Sequence, residues 1–280
     1  MFRPRESYDQ RLLACELEIT PKPIRQRSMH DVFGNCVVVV DFACRTRTLT
    51  FESHVRLDHT PLPAFSDFDG EIEDYGGYLP VAYTDEDLPE LAQSIAGQHA
   101  DPGNLVAECA RRFVSPVGRT RLQRLLGDMT QAIYADFQYS TRLAQGVQSP
   151  TQTLALGSGS CRDYAVLMME AVRSLGLAAR FVSGYIYSPY SSQADRGRIG
   201  GGHTHAWVRV FLPACGWVEF DPTNCIVGNA DLVRVAITRD PRQAVPLHGV
   251  WEGEADDYLG MEVSVDVRTE EDSWTTMARM

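Results

Sequence analysis

The sequence predicts an α+β chain: a small N-terminal antiparallel β domain, then a mixed core in which helices precede an antiparallel sheet. Three observations predict it. Residues 11–59 are crowded with strand-like segments, helical periodicity dominates from about residue 87 to residue 177, and strand patterning returns after residue 179. With 280 residues, 44% apolar and 22% charged, the chain is long enough for two packed units. The expected division is residues 1–84 for the β domain and its connection, and 85–280 for the core with its C-terminal strands.

In the first unit RLLACELEIT, CVVVVDF and TLTFESHVRL read as strands, and DVFGN (31–35) supplies a turn before the second. The apolar run at 37–40 suggests burial on both faces. Residues 60–84 are rich in Pro, Gly and Asp and read as a long connection. Helical patterning begins near Asp87, is broken by DPGN (101–104) and resumes in LVAECARRFV. A stronger helix is expected over 119–137, where Leu122, Leu125, Leu126, Met129, Ile133 and Phe137 recur at helical spacing. Residues 138–160 read as a polar loop. CRDYAVLMMEAVRSLGL forms the next helix, with Tyr164, Met168, Ala171 and Leu175 on one stripe and Gly176 at its C-terminal end. RFVSGYIY, HAWVRVFL, GWVEFDP, LVRVAI and MEVSVDV are the expected later strands.

A net charge of −11, with no basic run to reverse it locally, argues against a nucleic-acid partner. No segment has the length and apolarity of a membrane span, and the start has no apolar leader core, so no membrane association is expected. Seven cysteines, an odd number without CxxC spacing, fit reduced thiols and a cytoplasmic location. The sequence leaves the oligomeric state open.

Cys161 follows the small-residue run GSGS and opens an apolar helix, with Ser160 and Asp163 spaced as a capping box. Unpaired N–H groups and the positive end of the helix dipole favour a thiolate there, and the same N–H groups could receive an oxyanion. Asp163 opposes the thiolate slightly by like charge. A buried structural cysteine is the competing reading.

Residues 205–221 read as two strands around LPACG (212–216). Ala206, Val208, Val210, Leu212, Val218 and Phe220 form an apolar face, whereas His205, Trp207, Arg209, Phe211, Trp217, Glu219 and Asp221 form a mixed one. An odd-membered loop puts His205 and Asp221 on the same face as opposite or diagonal neighbours; an even-membered loop separates them. A carboxylate beside an imidazole fixes its tautomer and supports the imidazolium. Asp221 could instead close its strand through an Asx-turn. His203 is a rival base beside the Gly200–Gly201–Gly202 run. Metal binding by His203, His205 and a cysteine finds no second ligand pair, so neither a metal nor another cofactor is expected.

GSGSCRDYAVLMMEAVRSLGLAARFVSGYI, THAWVRVFLPACGWVEFDPTN and SMHDVFGNCVVVVDF together resemble the transglutaminase-like superfamily, specifically bacterial members with an N-terminal β domain. The resemblance spans residues 3–268. It implies a papain-like core with Cys161 as nucleophile, His205 as general base and acid, and Asp221 as orienter, passing an acyl group from an amide through a thioester. Arg162 and Tyr164 stand where Gln and Phe are expected. Tyr139 and Gln138 are candidates for the second oxyanion donor, with Ser160, Trp207 and His203 as further substrate-side candidates. Hydrolysis of a peptide or other amide is favoured over transamidation, because nothing suggests a dedicated amine site. A triad-bearing fold used only for binding a peptide or protein is the alternative. The glycine-containing loop at 187–202 is expected to rim the cleft.

Overall fold

The computed structural model describes residues 1–61, 70–73, 83–142, 146–188, 198–213 and 215–269. Its elements run β1 (Gln10–Thr20), β2 (Arg25–His30), β3 (Cys36–Asp41), β4 (Thr50–His59), β5 (Glu71–Glu73), α1 (Asp87–Ile95), α2 (Leu105–Arg111), β6 (Arg119–Arg121), α3 (Leu122–Asp136) and β7 (Gln138–Tyr139). They continue with α4 (Pro150–Leu156), β8 (Ser158–Gly159), α5 (Cys161–Ser174), β9 (Ala179–Ile186), β10 (His205–Leu212), β11 (Gly216–Asp221), β12 (Ile226–Val227) and β13 (Leu232–Thr238). The α+β class is as expected: N-terminal strands lead into helices and a five-stranded antiparallel sheet ordered β12-β11-β10-β9-β13.

The N-terminal strands form two antiparallel ribbons, β1 with β4 and β2 with β3. β2 was not expected, because RQRSMH has no apolar alternation and every residue of it is exposed. The valine run pairs with it and is only half-buried, which corrects the two-sided burial expected for 37–40. A lone ribbon has no second layer to cover its other face.

Side-chain amides join this region to the core sheet. Gln10 donates to the Arg234 carbonyl and accepts from its N–H, and Asn35 does the same at Ile237, each at 2.9 Å. Both amides are buried, so they satisfy the outer edge of β13 where a neighbouring strand would otherwise be needed. Arg234 lies beneath them between Asp9 and Glu219.

Elsewhere the helical core departs from expectation in detail. β5 lies inside the expected connection and pairs with β6, so α3 begins at Leu122 rather than 119. The polar loop expected over 138–160 contains α4, closed by a Ser149–Gln152 capping box, between β7 and β8. α5 is buried on nearly every face rather than along one stripe. It packs on β9 and β10, and its apolar side chains are the centre of the core. MEVSVDV (261–267) is not a strand; it is irregular, and Val265 donates to the Gly202 carbonyl at 3.0 Å. No helix among the described residues is long and apolar enough to cross a membrane.

Candidate active site

α5 begins at Cys161 because the chain reaches it through a tight, fully bonded approach. β8 runs parallel to β7, with Gln138 N–H donating to the Gly157 carbonyl and Ser140 N–H to that of Gly159. A β-carbon at position 159 would stand 2.9 Å from that of Asp163, so glycine is required where the strand meets the helix. Asp163 is fully buried and fixes the helix start: one carboxylate oxygen accepts from the backbone and hydroxyl of Ser160, both at 2.8 Å. The other accepts from Gln148 N–H at 2.7 Å, and Arg142 pairs with the carboxylate at 3.2 Å. Ser160 is thereby committed to the cap. Cys161 is buried at the first helical position, where N–H groups have no intrahelical acceptor.

The hairpin has the odd loop that the parity argument requires. Leu212 pairs with Gly216, so an odd number of positions separates the two strands, and Val208 pairs with Phe220. His205 and Asp221 are therefore diagonal neighbours, and His205 Nε2 lies 2.8 Å from Asp221 Oδ2. Asp221 also accepts from Thr223 N–H at 2.9 Å, so its Asx-turn and its pairing with the imidazole coexist. With Nε2 committed to a carboxylate, the neutral ring carries its proton there, and Nδ1 is the nitrogen that takes up the second proton to form the imidazolium.

Nδ1 is buried without a hydrogen-bond partner among the described residues. Burial opposes charging of the imidazole, but the Asp221 charge and hydrogen bond, aided by the nearby Cys161, outweigh it and raise the His205 pKa to about 10. Asp221 is correspondingly held below the usual carboxylate range despite complete burial, by His205, Asn224 and Thr223. His205 and Asp221 thus form a coupled pair, with Cys161 near enough to raise the imidazole pKa further.

The remaining candidates separate. Tyr139 is half-buried, its ring 6.4 Å from Tyr164, and its phenol pKa is raised by burial and then by the neighbouring Cys161. Gln138 is exposed on the same short strand. His203 is exposed on the glycine turn and donates its N–H to the Gly200 carbonyl. Trp207 corrects the expectation of a substrate contact: it is 0% exposed, in a cluster with Val182, Ile186, Ile226, Leu232 and Ile237. Its ring stacks on His205 at 6.0 Å between centroids, so it supports the imidazole from behind. Of the expected rim loop, residues 189–197 lie outside the described residues. Its end does approach the site, since a β-carbon at position 200 would stand 2.5 Å from His205 Nδ1.

Sequence reasoning missed Asn224. Its amide nitrogen donates to Asp221 Oδ2 at 2.8 Å and to the Ile199 carbonyl at 3.0 Å, while its oxygen accepts from Ile199 N–H at 2.8 Å. The signal present was its position three residues beyond the aspartate. Among the described residues, no group of three or more His, Cys, Asp or Glu side chains could hold a metal ion. None of the seven cysteines is held in a disulfide.

A buried thiol at a helix start beside a carboxylate-bound imidazole, on an antiparallel sheet, is the arrangement of a transglutaminase-like core. Residues 116–222 match the transglutaminase-like superfamily, and residues 1–58 match the bacterial transglutaminase-like N-terminal region. An uncharacterized protein of Mycobacterium tuberculosis is 30% identical over 94% of this chain and 84% of its own length. The chain belongs to the transglutaminase-like superfamily. A protein-glutamine gamma-glutamyltransferase of Pseudomonas aeruginosa is 30% identical over 48% of this chain, but over only 17% of its own length. The solved structure of a candidate cysteine protease from Cytophaga hutchinsonii shares the fold, with a TM-score of 0.60 and 18% identity over 86% of this chain and 75% of that one.

Proposed function

We propose that the protein is a thiol-dependent amide hydrolase working through a Cys161–His205–Asp221 triad. The observation that carries this reading is the 2.8 Å bond from Asp221 to Nε2, which leaves the buried Nδ1 as the nitrogen available to the thiol of Cys161. His205 takes the thiol proton, and the thiolate attacks the amide carbonyl carbon. N–H groups at the start of α5 receive the oxyanion. As the C–N bond breaks, the imidazolium returns its proton to the departing amine, leaving an acyl thioester on Cys161. Water, deprotonated by the same imidazole, then attacks the thioester and releases a carboxylic acid and the free thiol.

An amine in place of water would give transamidation from the same thioester, and the similarity to the glutamyltransferase favours that as a second reading. Incubation with a mixed peptide pool and a primary amine, followed by mass spectrometry, tests both. New carboxyl termini or glutamate side chains support hydrolysis, and amine adducts support transfer. Either product formed equally well by Cys161→Ala rules out the mechanism.

A further inference from the structure

The turn at residues 198–202 is bound to the site more firmly than a surface rim needs to be. Asn224 spans the gap with both ends of its amide. Its nitrogen donates to Asp221 Oδ2 and to the Ile199 carbonyl, and its oxygen accepts from Ile199 N–H. That nitrogen also lies 3.4 Å from His205 Nε2. Gly200, next along the turn, has φ +98 and lies so near Nδ1 that no side chain fits between them. Two further bonds hold the same turn. Arg198 N–H donates to Ser188 Oγ at 3.1 Å, and Val265 N–H donates to the Gly202 carbonyl at 3.0 Å.

We propose that Asn224 is a positioning residue that locks the carboxylate of Asp221 and the glycine turn into one unit, so that the imidazole is held from both of its nitrogen edges. The proposal rests on the triad reading above. On one edge, the amide restricts Asp221 Oδ2 to the direction of Nε2, because that oxygen accepts from both residues at 2.8 Å. On the other edge, the two bonds to Ile199 keep the backbone of Gly200 against Nδ1. Both contacts oppose a flip of the ring or its swing toward solvent. Without Asn224 the carboxylate loses one of its donors, the turn loses two backbone anchors, and the ring gains freedom on both sides.

The alanine and isosteric variants Asn224→Ala and Asn224→Asp test this, with His205→Ala as the reference. Iodoacetamide alkylation of Cys161 is followed by peptide mass spectrometry from pH 5 to 10, with melting temperature as the control for folding. Misplacing a reacting group by about 1 Å can cost about 10²-fold in rate, so a loss of about tenfold is the scale expected for a loosened ring. A loss of that size at pH 7 is expected in both variants, together with a rising limb moved to higher pH and faster tryptic cleavage after Arg198. Asn224→Asp keeps the shape but replaces a donor to Asp221 with an acceptor, so its loss cannot come from packing alone. If Asn224→Ala fails to fold, Asn224→Asp decides the matter. Wild-type rates and an unmoved limb in a folded variant overturn the proposal, as does a loss that only follows the melting temperature. The triad reading fails differently, with His205→Ala leaving Cys161 alkylation unchanged.

Discussion

Gly184 lies directly opposite His205 across the β9–β10 pair, and a β-carbon there would stand 2.1 Å from the Val233 carbonyl oxygen and 2.6 Å from the Trp207 indole. At the level of the imidazole, β9 is therefore packed without slack against β13 and the Trp207 indole. Gly184→Ala is expected to destabilise the fold by about 1–3 kcal/mol, the usual cost of overpacking a core, with β9 and β13 forced apart. Urea unfolding of the purified variant measures this. An unchanged midpoint would mean that the sheet yields more easily than the geometry implies.

Gly200→Ala should act on chemistry more than on stability. The added carbon would meet Nδ1 at 2.5 Å, and φ is +98 at that position. The turn must lift or the ring must rotate. Either breaks the alignment of thiol and imidazole, so alkylation of Cys161 should slow at least roughly tenfold, since small misplacements in such sites are costly. The melting temperature should fall only slightly, because the turn lies outside the core.

The pairing of His205 with Asp221 sets a pH dependence whose sign follows from the shifts. His205 has its pKa raised from 6.5 to about 10, so its contribution to stability is complete below 6.5 and is lost as pH rises toward 10. Asp221 is lowered from 3.8, so its contribution is present above 3.8 and is lost as pH falls through the folded value. Asp221→Asn removes the charge that offsets burial of the imidazole, and is expected to cost about 3–5 kcal/mol at pH 6. It should also lower turnover by roughly two to four orders of magnitude by favouring the wrong tautomer. The stability gap between wild type and variant should narrow between pH 7 and 10. Unfolding curves across that range check it, and a constant gap would place the proton elsewhere.

Arg234 lies between Asp9 and Glu219, with the Asn229 amide also bonded to Asp9 at 2.6 Å. Arg234→Ala leaves buried Asp9 with only neutral partners, Ser7 and Asn229, and Glu219 with Arg209 alone, and should cost about 3–5 kcal/mol. It should also release the N-terminal segment, seen as faster hydrogen exchange over residues 5–12 with less change in α5.

Much of this site was legible from residue order. Cys161 was marked by the GSGS run and by Ser160 and Asp163 at capping distance. Strand alternation reduced the His205–Asp221 question to whether the hairpin loop had an odd number of residues, which it has. Alternation gives the side on which a residue lies but not what covers it. Trp207 shares the mixed face with His205, yet Ile226 and Leu232 bury it. Asn224 escaped notice because two of its partners are the backbone groups of a residue 25 positions earlier, and a polar residue after a turn reads as loop. α4 was missed because seven residues with two threonines carry no clear helical period. The edge amides of Gln10 and Asn35 could not be anticipated, since their partners lie more than 200 residues away.

The most direct measurement is competitive labelling of all seven cysteines with substoichiometric iodoacetamide below pH 8, read by peptide mapping. A catalytic Cys161 is expected to carry nearly all the label although it is buried, and His205→Ala to abolish this preference. Labelling that instead follows exposure, led by Cys44 and independent of His205, would contradict it.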